Sequence, residues 1–556
     1  MMSMKNPLYQ LKHATFEMVL RAWAITRESG FERRDPFTEQ RSILNRLVNR
    51  GSATRFGRDH ALATLSGMPF PALYREFRRR VPIRTYADFW RDYFSAGYQE
   101  EGGKRNLNLT DVTWPGKVPF FCETSGTTAP TKFIPFTNEM FAANRRAALD
   151  LTACYLARNR ASQLMRGKLL YMAGNTRLTD LGQGVTSGDM SAITLLHSPS
   201  YLKPFVLPDP ALSALPWEEM LERLARLLLG DPNIRAISGV PPWILLLLKR
   251  CGEIGGKSPA ELLPGLELII HGGTSMKPYA REFAALLNPS PPHFLELLPS
   301  SEAFMAFQLL GEEQMRFAPY YGTFFEFVPF DELDERGAPR PDANAVPLEE
   351  VQAGRRYAVI LTTCAGLWRY HIGDTLRFVS LAPLAVEFTG RDRFLDRFEE
   401  KVTQGEVEEA VASLNRTGRG EVREFIIGPD VAARRHVWVL AMGEEGETDA
   451  FFLAEELDKR LREMNADYNV FRSQGRIAGP LVVTTGEEAI YRWSKVVRGK
   501  LGGQSKIPHI DPTMDGEMVQ SLLRFISPRE ATRDRLTKPY SLSLVTKGSG
   551  REKLMI

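Results

Sequence analysis

Glu123-Thr-Ser-Gly-Thr-Thr-Ala-Pro-Thr-Lys132 packs hydroxyls, one glycine and a terminal lysine into a single stretch. Before it stands the apolar run Lys117-Val-Pro-Phe-Phe121, and after it Phe133-Ile-Pro-Phe-Thr137. Pro135 blocks a long helix directly behind the stretch, because proline lacks a backbone N–H and clashes with the preceding turn. The context is therefore strand–loop–strand. An ordinary NTPase phosphate loop needs glycine before its lysine, Ser or Thr after it, and then a helix. Here Thr131 precedes Lys132 and Phe133 follows. What remains is a nest of backbone N–H groups, reinforced by hydroxyls and one positive charge and suited to phosphate oxygens. A polar surface turn between two strands is the plainer alternative.

At 556 residues the chain exceeds one ordinary core, so two or more domains are expected. Its 43% hydrophobic and 25% charged residues are those of a soluble globular protein. A net charge of +4 is small for this length and argues against a nucleic-acid binder. Basic residues do gather after Ser527: Arg529, Arg533, Arg535, Lys538, Lys547, Arg551 and Lys553 outweigh Glu530, Asp534 and Glu552. A solvated tail is the expectation there, with an acidic partner or membrane surface as the alternative. Cys122, Cys154, Cys251 and Cys364 are widely spread and lack metal-ligand spacing, which fits reduced, buried thiols in a cytoplasmic protein. Glu17 and Arg21 interrupt the apolar residues near the start, so no signal peptide is expected. The longest apolar burst, Trp243 to Leu248, is too short for a transmembrane segment.

Periodicity predicts amphipathic helices over the first hundred residues and from Pro216 to Leu229, where Trp217, Met220, Leu221, Leu224 and Leu228 share a face. Gly230-Asp231-Pro232 stops that helix. Short β-type runs lie at Leu169–Ala173, Leu266–Ile270, Phe324–Val328 and Tyr357–Thr362. The mixture predicts an α/β fold with more than one sheet flanked by helices, with a surface connection from Asp331 to Pro347. Gly390-Arg391-Asp392-Arg393 follows the strand-like Ala385–Thr389 and marks a boundary. Beyond it, a helix at Glu406–Leu414, strands at Val422–Ile427 and His436–Ala441, and helices at Phe452–Met464 and near Ala489 suit a smaller α+β domain. The expected division is a large domain over 1–389 and a smaller, hinge-rotating one over 390–556.

Four more clusters carry polar chemistry. Leu298-Pro-Ser-Ser-Glu302 puts two hydroxyls and a carboxylate after an apolar strand, where a helix cap is the plain alternative. Trp368-Arg-Tyr-His-Ile-Gly-Asp374 follows a β run, and its Asp can accept from both hydroxyls of a ribose or pair with Arg369 as a structural ion pair. The segment from Gly390-Arg391 to Lys401-Val-Thr-Gln-Gly-Glu-Val-Glu408 is the third, and Gly502-Gly-Gln-Ser-Lys-Ile-Pro508 places a lysine on a Gly-rich loop.

In this order the clusters resemble the adenylate-forming (firefly luciferase-like) superfamily. More closely, the chain is similar to the Gretchen Hagen family of acyl-acid amido synthetases, first known from auxin-responsive plant proteins. That family carries an SSGTS-type phosphate loop, a YxSSE segment and a YRxGD segment. The likeness extends to Leu268-Ile-Ile-His-Gly-Gly273, Gly322-Thr-Phe-Phe-Glu-Phe-Val-Pro329 and Ala365-Gly-Leu-Trp-Arg-Tyr-His-Ile-Gly-Asp374, so it covers most of the chain from about Pro119 to Pro508.

The resemblance implies ATP and Mg²⁺ as cofactors, with a carboxylic acid and an amine, that of an amino acid, as partners. It assigns Ser125, Gly126, Thr127, Thr128, Ser301 and Lys132 to the ATP phosphates and Glu302 to Mg²⁺. Asp374 would hold the ribose, with Arg391 at the hinge beside it. Lys401 and Lys506 would be the lysines that the smaller domain brings to the phosphate. His271, Gly272 and Gly273 would line the acyl and nucleotide pocket. Leu298 stands where the family has Tyr, which leaves Tyr320 or Tyr321 as candidates to stack on adenine. His371 replaces a common Arg, and Ala129-Pro130 stiffens the phosphate loop. The implied reaction is adenylation of the acid followed by amide formation. An acyl-CoA ligase is the nearest rival, although the tail lacks the PxTxSGKxxR-like lysine motif of those enzymes. A nucleotide- or acyl-binding regulatory protein without turnover is the second.

Overall fold

Short apolar runs separated by helices can pair in parallel, because each helix supplies the crossover that a parallel partner needs. Lys168–Tyr171, Ile234–Gly239, Leu268–Gly272 and His293–Pro299 do so, with helices Trp217–Gly230, Pro241–Gly255 and Ala280–Leu287 between them. The strands that follow pair antiparallel instead: Phe304–Gln308, Met315–Phe317, Thr323–Pro329, Arg356–Thr363, Tyr370–Leu381 and Leu384–Arg391. With the short edge strands Val206–Leu207 and Val346–Pro347 they form one twelve-stranded sheet. Pairing changes from parallel to antiparallel once along this sheet, between His293–Pro299 and Phe304–Gln308. This computed structural model describes residues 7–526 apart from 125–130, 201–202, 335–336, 392–394, 399, 419–420, 444–448, 500–505 and 514. The basic tail after Ser527 therefore lies outside the described residues.

A second sheet has four strands, in which Phe120–Thr124 pairs antiparallel with Lys132–Phe136, Thr124 opposite Lys132. The strand–loop–strand reading holds, and Lys132 stands at the foot of the loop. The loop itself, with Ser125, Gly126, Thr127 and Thr128, lies outside the described residues.

The N-terminal helices Pro36–Gly51 and Phe70–Arg80 pack on the antiparallel half of the large sheet, and polar side chains fix where they sit. Buried Gln40 donates to the carbonyls of Pro319 at 2.9 Å and Thr323 at 2.8 Å and accepts the Phe325 N–H at 2.8 Å. Trp368 lies flat on Phe56, and its indole N–H donates to the Thr113 carbonyl at 2.9 Å. A Cβ on Gly51 would come within 2.2 Å of that indole, so the helix must present glycine there. Arg369, held at φ +45, donates from Nε to both oxygens of Glu326 at 3.1 and 2.9 Å and from Nη1 to the Val81 carbonyl at 2.8 Å. The structural ion pair of this motif therefore joins Arg369 to Glu326, not to Asp374.

Gly390 and Arg391, which the sequence places at the domain junction, are the last residues of the strand Leu384–Arg391. A separate C-terminal domain follows. Strands Val422–Asp430 and Arg435–Met442 form an antiparallel hairpin, and Leu481–Gly486 joins parallel to the second. Alternate residues feed opposite faces. Phe425, Ile427, Trp438 and Leu440 meet helices Gln404–Arg416 and Ala450–Met464, while Ile426, Val437, Val439 and Ala441 meet Glu487–Val496 and Glu517–Ile526. Among the described residues, no helix is long and apolar enough to cross a membrane.

Removing one partner of a buried ion pair strands the other charge and costs about 3–5 kcal/mol. Glu326→Gln is therefore expected to destabilise the large domain by that amount, read as a shift of its urea denaturation midpoint.

Candidate active site

In an open α/β sheet the carboxyl ends of the parallel strands leave a crevice for ligands. Two such ends lie side by side here, because Leu268–Gly272 pairs in parallel with His293–Pro299. The first runs into His271-Gly272-Gly273 and the second into Ser300-Ser301-Glu302. Gly272 passes so near its neighbour that a Cβ would lie 2.5 Å from the Leu297 carbonyl oxygen, and Gly273 has φ +88. Ser300 shapes the second turn. Its N–H donates to the Ala303 carbonyl at 2.8 Å, and its Oγ accepts the Ala303 N–H at 3.0 Å and the Glu302 N–H at 3.3 Å. Leu298-Pro-Ser-Ser-Glu302 thus turns a β-hairpin rather than capping a helix, and Ser301 is half-buried within it.

The turn presents Glu302, which is 7% exposed. Burial raises its pKa, Arg391 and Lys132 pull it down, and Asp374 pushes it up, so all three charges surround this carboxyl. Asp374 and Arg391 arrive from the antiparallel half. They face each other across the ladder, with Arg391 Nε 3.2 Å from Asp374 Oδ1. Both adjoin glycines in the left-handed region, Gly373 at φ +86 and Gly390 at φ +97, where the register shifts. Such bulges re-aim side chains that a regular ladder would alternate. Tyr370, buried beside them, has its hydroxyl pKa driven well up by burial and then by Glu302. Lys132 lies with Nζ 5.7 Å from the ring centre of Tyr86, whose hydroxyl accepts the Phe133 N–H at 2.7 Å.

The C-terminal domain contributes Lys506. Although this residue is exposed as a whole, its ammonium end is pressed against Gly273, where a Cβ would stand 2.9 Å from Cε and 3.2 Å from Nζ. Burial of the ammonium and then Arg391 lower its pKa, opposed by Asp374, Asp189 and Glu408. Asp189 caps the helix Met190–Leu196, accepts the Ser191 N–H at 2.8 Å, and has its pKa raised by burial. Cys122, buried beside Asp189 and Glu302, has its thiol pushed well up by desolvation and then by those two charges. That makes it an inert neighbour rather than a nucleophile, and all four free cysteines are buried.

Two sequence candidates are committed elsewhere. Tyr321 is buried in the core with its hydroxyl donating to Asp150 at 2.9 Å. Lys401 has an exposed side chain, its N–H donates to Asp396 at 3.0 Å, and its carbonyl accepts from Asn465 at 3.3 Å. No described contact joins Lys401 to Glu302 or Asp374. Conversely, Asp189, Tyr86 and Tyr370 stand at the site without having been singled out. Only Tyr370 lay inside a quoted motif; Ser187-Gly-Asp189 before an apolar run signals a helix start and nothing more.

With this arrangement in view, comparison with known proteins is decisive on family. The chain matches the GH3 family N-terminal domain over residues 31–230, the central domain over 317–391 and the C-terminal domain over 403–513. It belongs to the GH3 (Gretchen Hagen) family. A solved relative, AtGH3.15 acyl acid amido synthetase in complex with 2,4-DB, superposes with a TM-score of 0.71 at 19% identity, covering 90% of this chain and 95% of that one. The fold is also similar to that of 2-hydroxyisobutyryl-CoA ligase in its postadenylation state, with a TM-score of 0.54 at 14% identity over 87% of this chain and 91% of that one. Indole-3-acetic acid-amido synthetase GH3.10 of Arabidopsis thaliana is 31% identical over 208 residues. That match spans 34% of this GH3 chain and 34% of the relative's length.

His271 gives the site a pH signature. It is 4% exposed, burial pushes its pKa down to about 4, and its Nδ1 has no hydrogen-bond partner among the described residues. Because the folded pKa lies below the unfolded one, its contribution to stability is whole above about 6.5 and is lost as pH falls toward 4. In histidine-selective NMR, the His271 ring signal is expected to stay fixed from pH 8 to 5 and move only near pH 4.

Proposed function

We propose that this GH3-family chain activates a small carboxylic acid with ATP and then joins it to the amine of an amino acid. The convergence of Lys132, Glu302, Asp374, Arg391 and Lys506 at the carboxyl ends of two parallel strands carries this reading. A carboxylate resists an amine because its leaving group would be oxide. When one of its oxygens attacks the α-phosphorus of ATP, an O–P bond forms, the bond to the bridging oxygen breaks, and pyrophosphate departs with the electron pair. The acyl group now carries AMP, a stable leaving group. Attack by the neutral amine then forms the amide, releasing AMP and one proton.

In this scheme Asp374 accepts from the ribose hydroxyls, and Arg391 keeps its carboxylate aimed. Lys132 and Lys506 supply positive charge where negative charge builds up on the phosphate oxygens, which favours the transition state over the ground state. The phosphate-loop role of Ser125, Gly126, Thr127, Thr128 and of the nearby Ser301 belongs to the same proposal, as do His271, Gly272 and Gly273 as pocket lining. Glu302 would hold Mg²⁺: no cluster of three metal-ligating residues occurs among the described residues, and Mg²⁺ commonly takes one or two carboxylates together with substrate phosphates. When bound, it neutralises phosphate charge. Tyr321, with its hydroxyl on Asp150, is left out of the adenine contact.

The division at residues 389/390, with turning of the smaller domain between half-reactions and Lys401 serving the turned arrangement, completes the proposal. Its support is the polar character of the boundary. There Lys249 of the large domain pairs with Glu487 of the smaller one at 3.6 Å, and Arg423 of the smaller domain pairs with Glu282 of the large one at 3.1 Å. Polar interfaces of this kind are common between domains that move relative to each other. A cytoplasmic location is part of the same reading.

Carboxylate-dependent exchange of pyrophosphate into ATP, screened over aromatic, jasmonate-like and fatty acids, tests the first half-reaction. Amino acids against coenzyme A as traps then decide the acceptor. No exchange with any acid, despite ATP binding, would favour the regulatory reading. Asp374→Ala is expected to weaken ATP binding by tenfold or more, on the order of 1.4 kcal/mol, with an unchanged circular-dichroism spectrum. Lys132→Ala is expected to lower exchange at least a hundredfold while moving the melting temperature little; normal exchange would remove it from the phosphate site.

A further inference from the structure

Three residues beyond Lys506, the chain buries a histidine between two carboxylates. His509 is 2% exposed, with Nδ1 2.8 Å from Glu408 Oε1 and Nε2 3.2 Å from Glu424 Oε1. A neutral imidazole has only one N–H, so one of these contacts would set a lone pair against a carboxylate; the doubly protonated ring satisfies both. Burial opposes that charge, yet the two glutamates outweigh it and push the pKa up to about 10. The ring also stacks on Phe425, with centroids 4.1 Å apart. Backbone bonds tie the same segment to the sheet: the Ile427 N–H donates to the His509 carbonyl at 2.8 Å and the Asp511 N–H to the Ile427 carbonyl at 2.7 Å.

The clamp reaches both toward the site and across the domain boundary. Ile507 is buried, and Pro508 restricts the backbone between Lys506 and His509. Lys506 is thus carried on a short, stiff arm. Glu408 acts electrostatically on Lys506 as well, and with His509 and the Gln404 amide on its Oε1 it is already occupied. On the other side, Glu424 Oε2 accepts from the hydroxyl of Tyr279 in the large domain at 3.4 Å. Beside it the Asn415 amide donates to the Pro278 carbonyl at 3.0 Å.

We propose that His509 is a positioning residue for Lys506, clamping the arm that presents its ammonium at the nucleotide site, and that Tyr279 latches this clamp to the large domain. The inference rests on the adenylation reading for its kinetic consequence, but the clamp itself does not. Glu408, Glu424 and His509 all belong to the smaller domain and turn together, so the latch is the part that must release between half-reactions.

The test separates the half-reactions. In His509→Gln, acid-dependent pyrophosphate exchange is expected to fall at least tenfold, while consumption of chemically prepared acyl-adenylate by the amine stays within threefold of wild type. His509→Arg, which keeps a cation with several donors, is expected to recover most of the exchange. A merely structural residue would depress both half-reactions alike. Hydrogen exchange provides a readout without turnover: the amides of residues 507 and 509–511 should exchange at least tenfold faster in His509→Gln, with the helix Ala450–Met464 unchanged. If wild type itself shows no pyrophosphate exchange, the adenylation reading fails and the hydrogen-exchange result alone decides the clamp. Should His509→Gln not fold, Tyr279→Phe decides, since it deletes one hydroxyl and is expected to lower exchange about threefold with the second half-reaction unaffected. Equal effects on the two half-reactions, or unaltered protection of those amides, overturn the proposal.

Discussion

A sheet cannot change from parallel to antiparallel pairing without disturbing its hydrogen-bond ladder, since the two arrangements space their bonds differently. The twelve-stranded sheet makes that change once, between His293–Pro299 and Phe304–Gln308, and the disturbance is where its polar chemistry collects. The parallel half ends in the turns that carry Gly273 and Glu302. The antiparallel half supplies bulged strands whose side chains point where a regular ladder would not send them. Glu302 sits on the seam itself, while Asp374 and Arg391 reach it from one side and Gly273, with Lys506 upon it, borders it on the other. The crevice follows from topology before any catalytic residue is considered.

Much of this was legible because the physical cause was local. Pro135 alone excluded a helix after the phosphate-loop stretch, and the antiparallel hairpin around Lys132 bears that out. The helix over Trp217–Gly230 and the strands near 169, 268, 324 and 357 followed from periodicity, displaced by only one or two residues. What misled was non-local. Nothing within the motif at Trp368–Asp374 says that Arg369 will find Glu326, more than forty positions earlier, because an ion pair between distant strands leaves no trace in spacing. Serines ahead of a carboxylate read equally as a helix cap or a hairpin turn, and only the partner strand decides. Gly390, which the sequence marks as a boundary with freedom for hinge motion, lies in a bulge at the end of the last strand before the C-terminal domain. Asp189 and His509 carried no motif at all, and their significance comes wholly from what the fold sets beside them.

The motif at 368–374 also separates into anchors and instruments. Trp368 and Arg369 are spent on the core, one on Phe56 and Thr113, the other on Glu326 and Val81. Their burial holds the strand rigidly enough for Tyr370 and Asp374 to be aimed. Precise placement of charge requires such supports, because a mobile carboxylate or ammonium loses in entropy and solvation what it gains in attraction. The same division recurs at the C-terminal end, where Ile507 and His509 are held fast and Lys506 is left to act.

The space that Gly51 leaves for the indole of Trp368 has a consequence for how the molecule is made. Gln40, Tyr74 and Arg84 likewise find their partners between Pro319 and His371. On the ribosome, the first hundred residues therefore emerge long before the surface that covers their apolar faces has been synthesised. Those faces stay without this partner surface while more than two hundred residues follow. Contacts so far apart in sequence close slowly, and helices waiting with exposed apolar faces are prone to aggregate. The price of tying the start of the chain to the strand that bears Asp374 is a long interval of vulnerability during synthesis, in which a chaperone has most to offer.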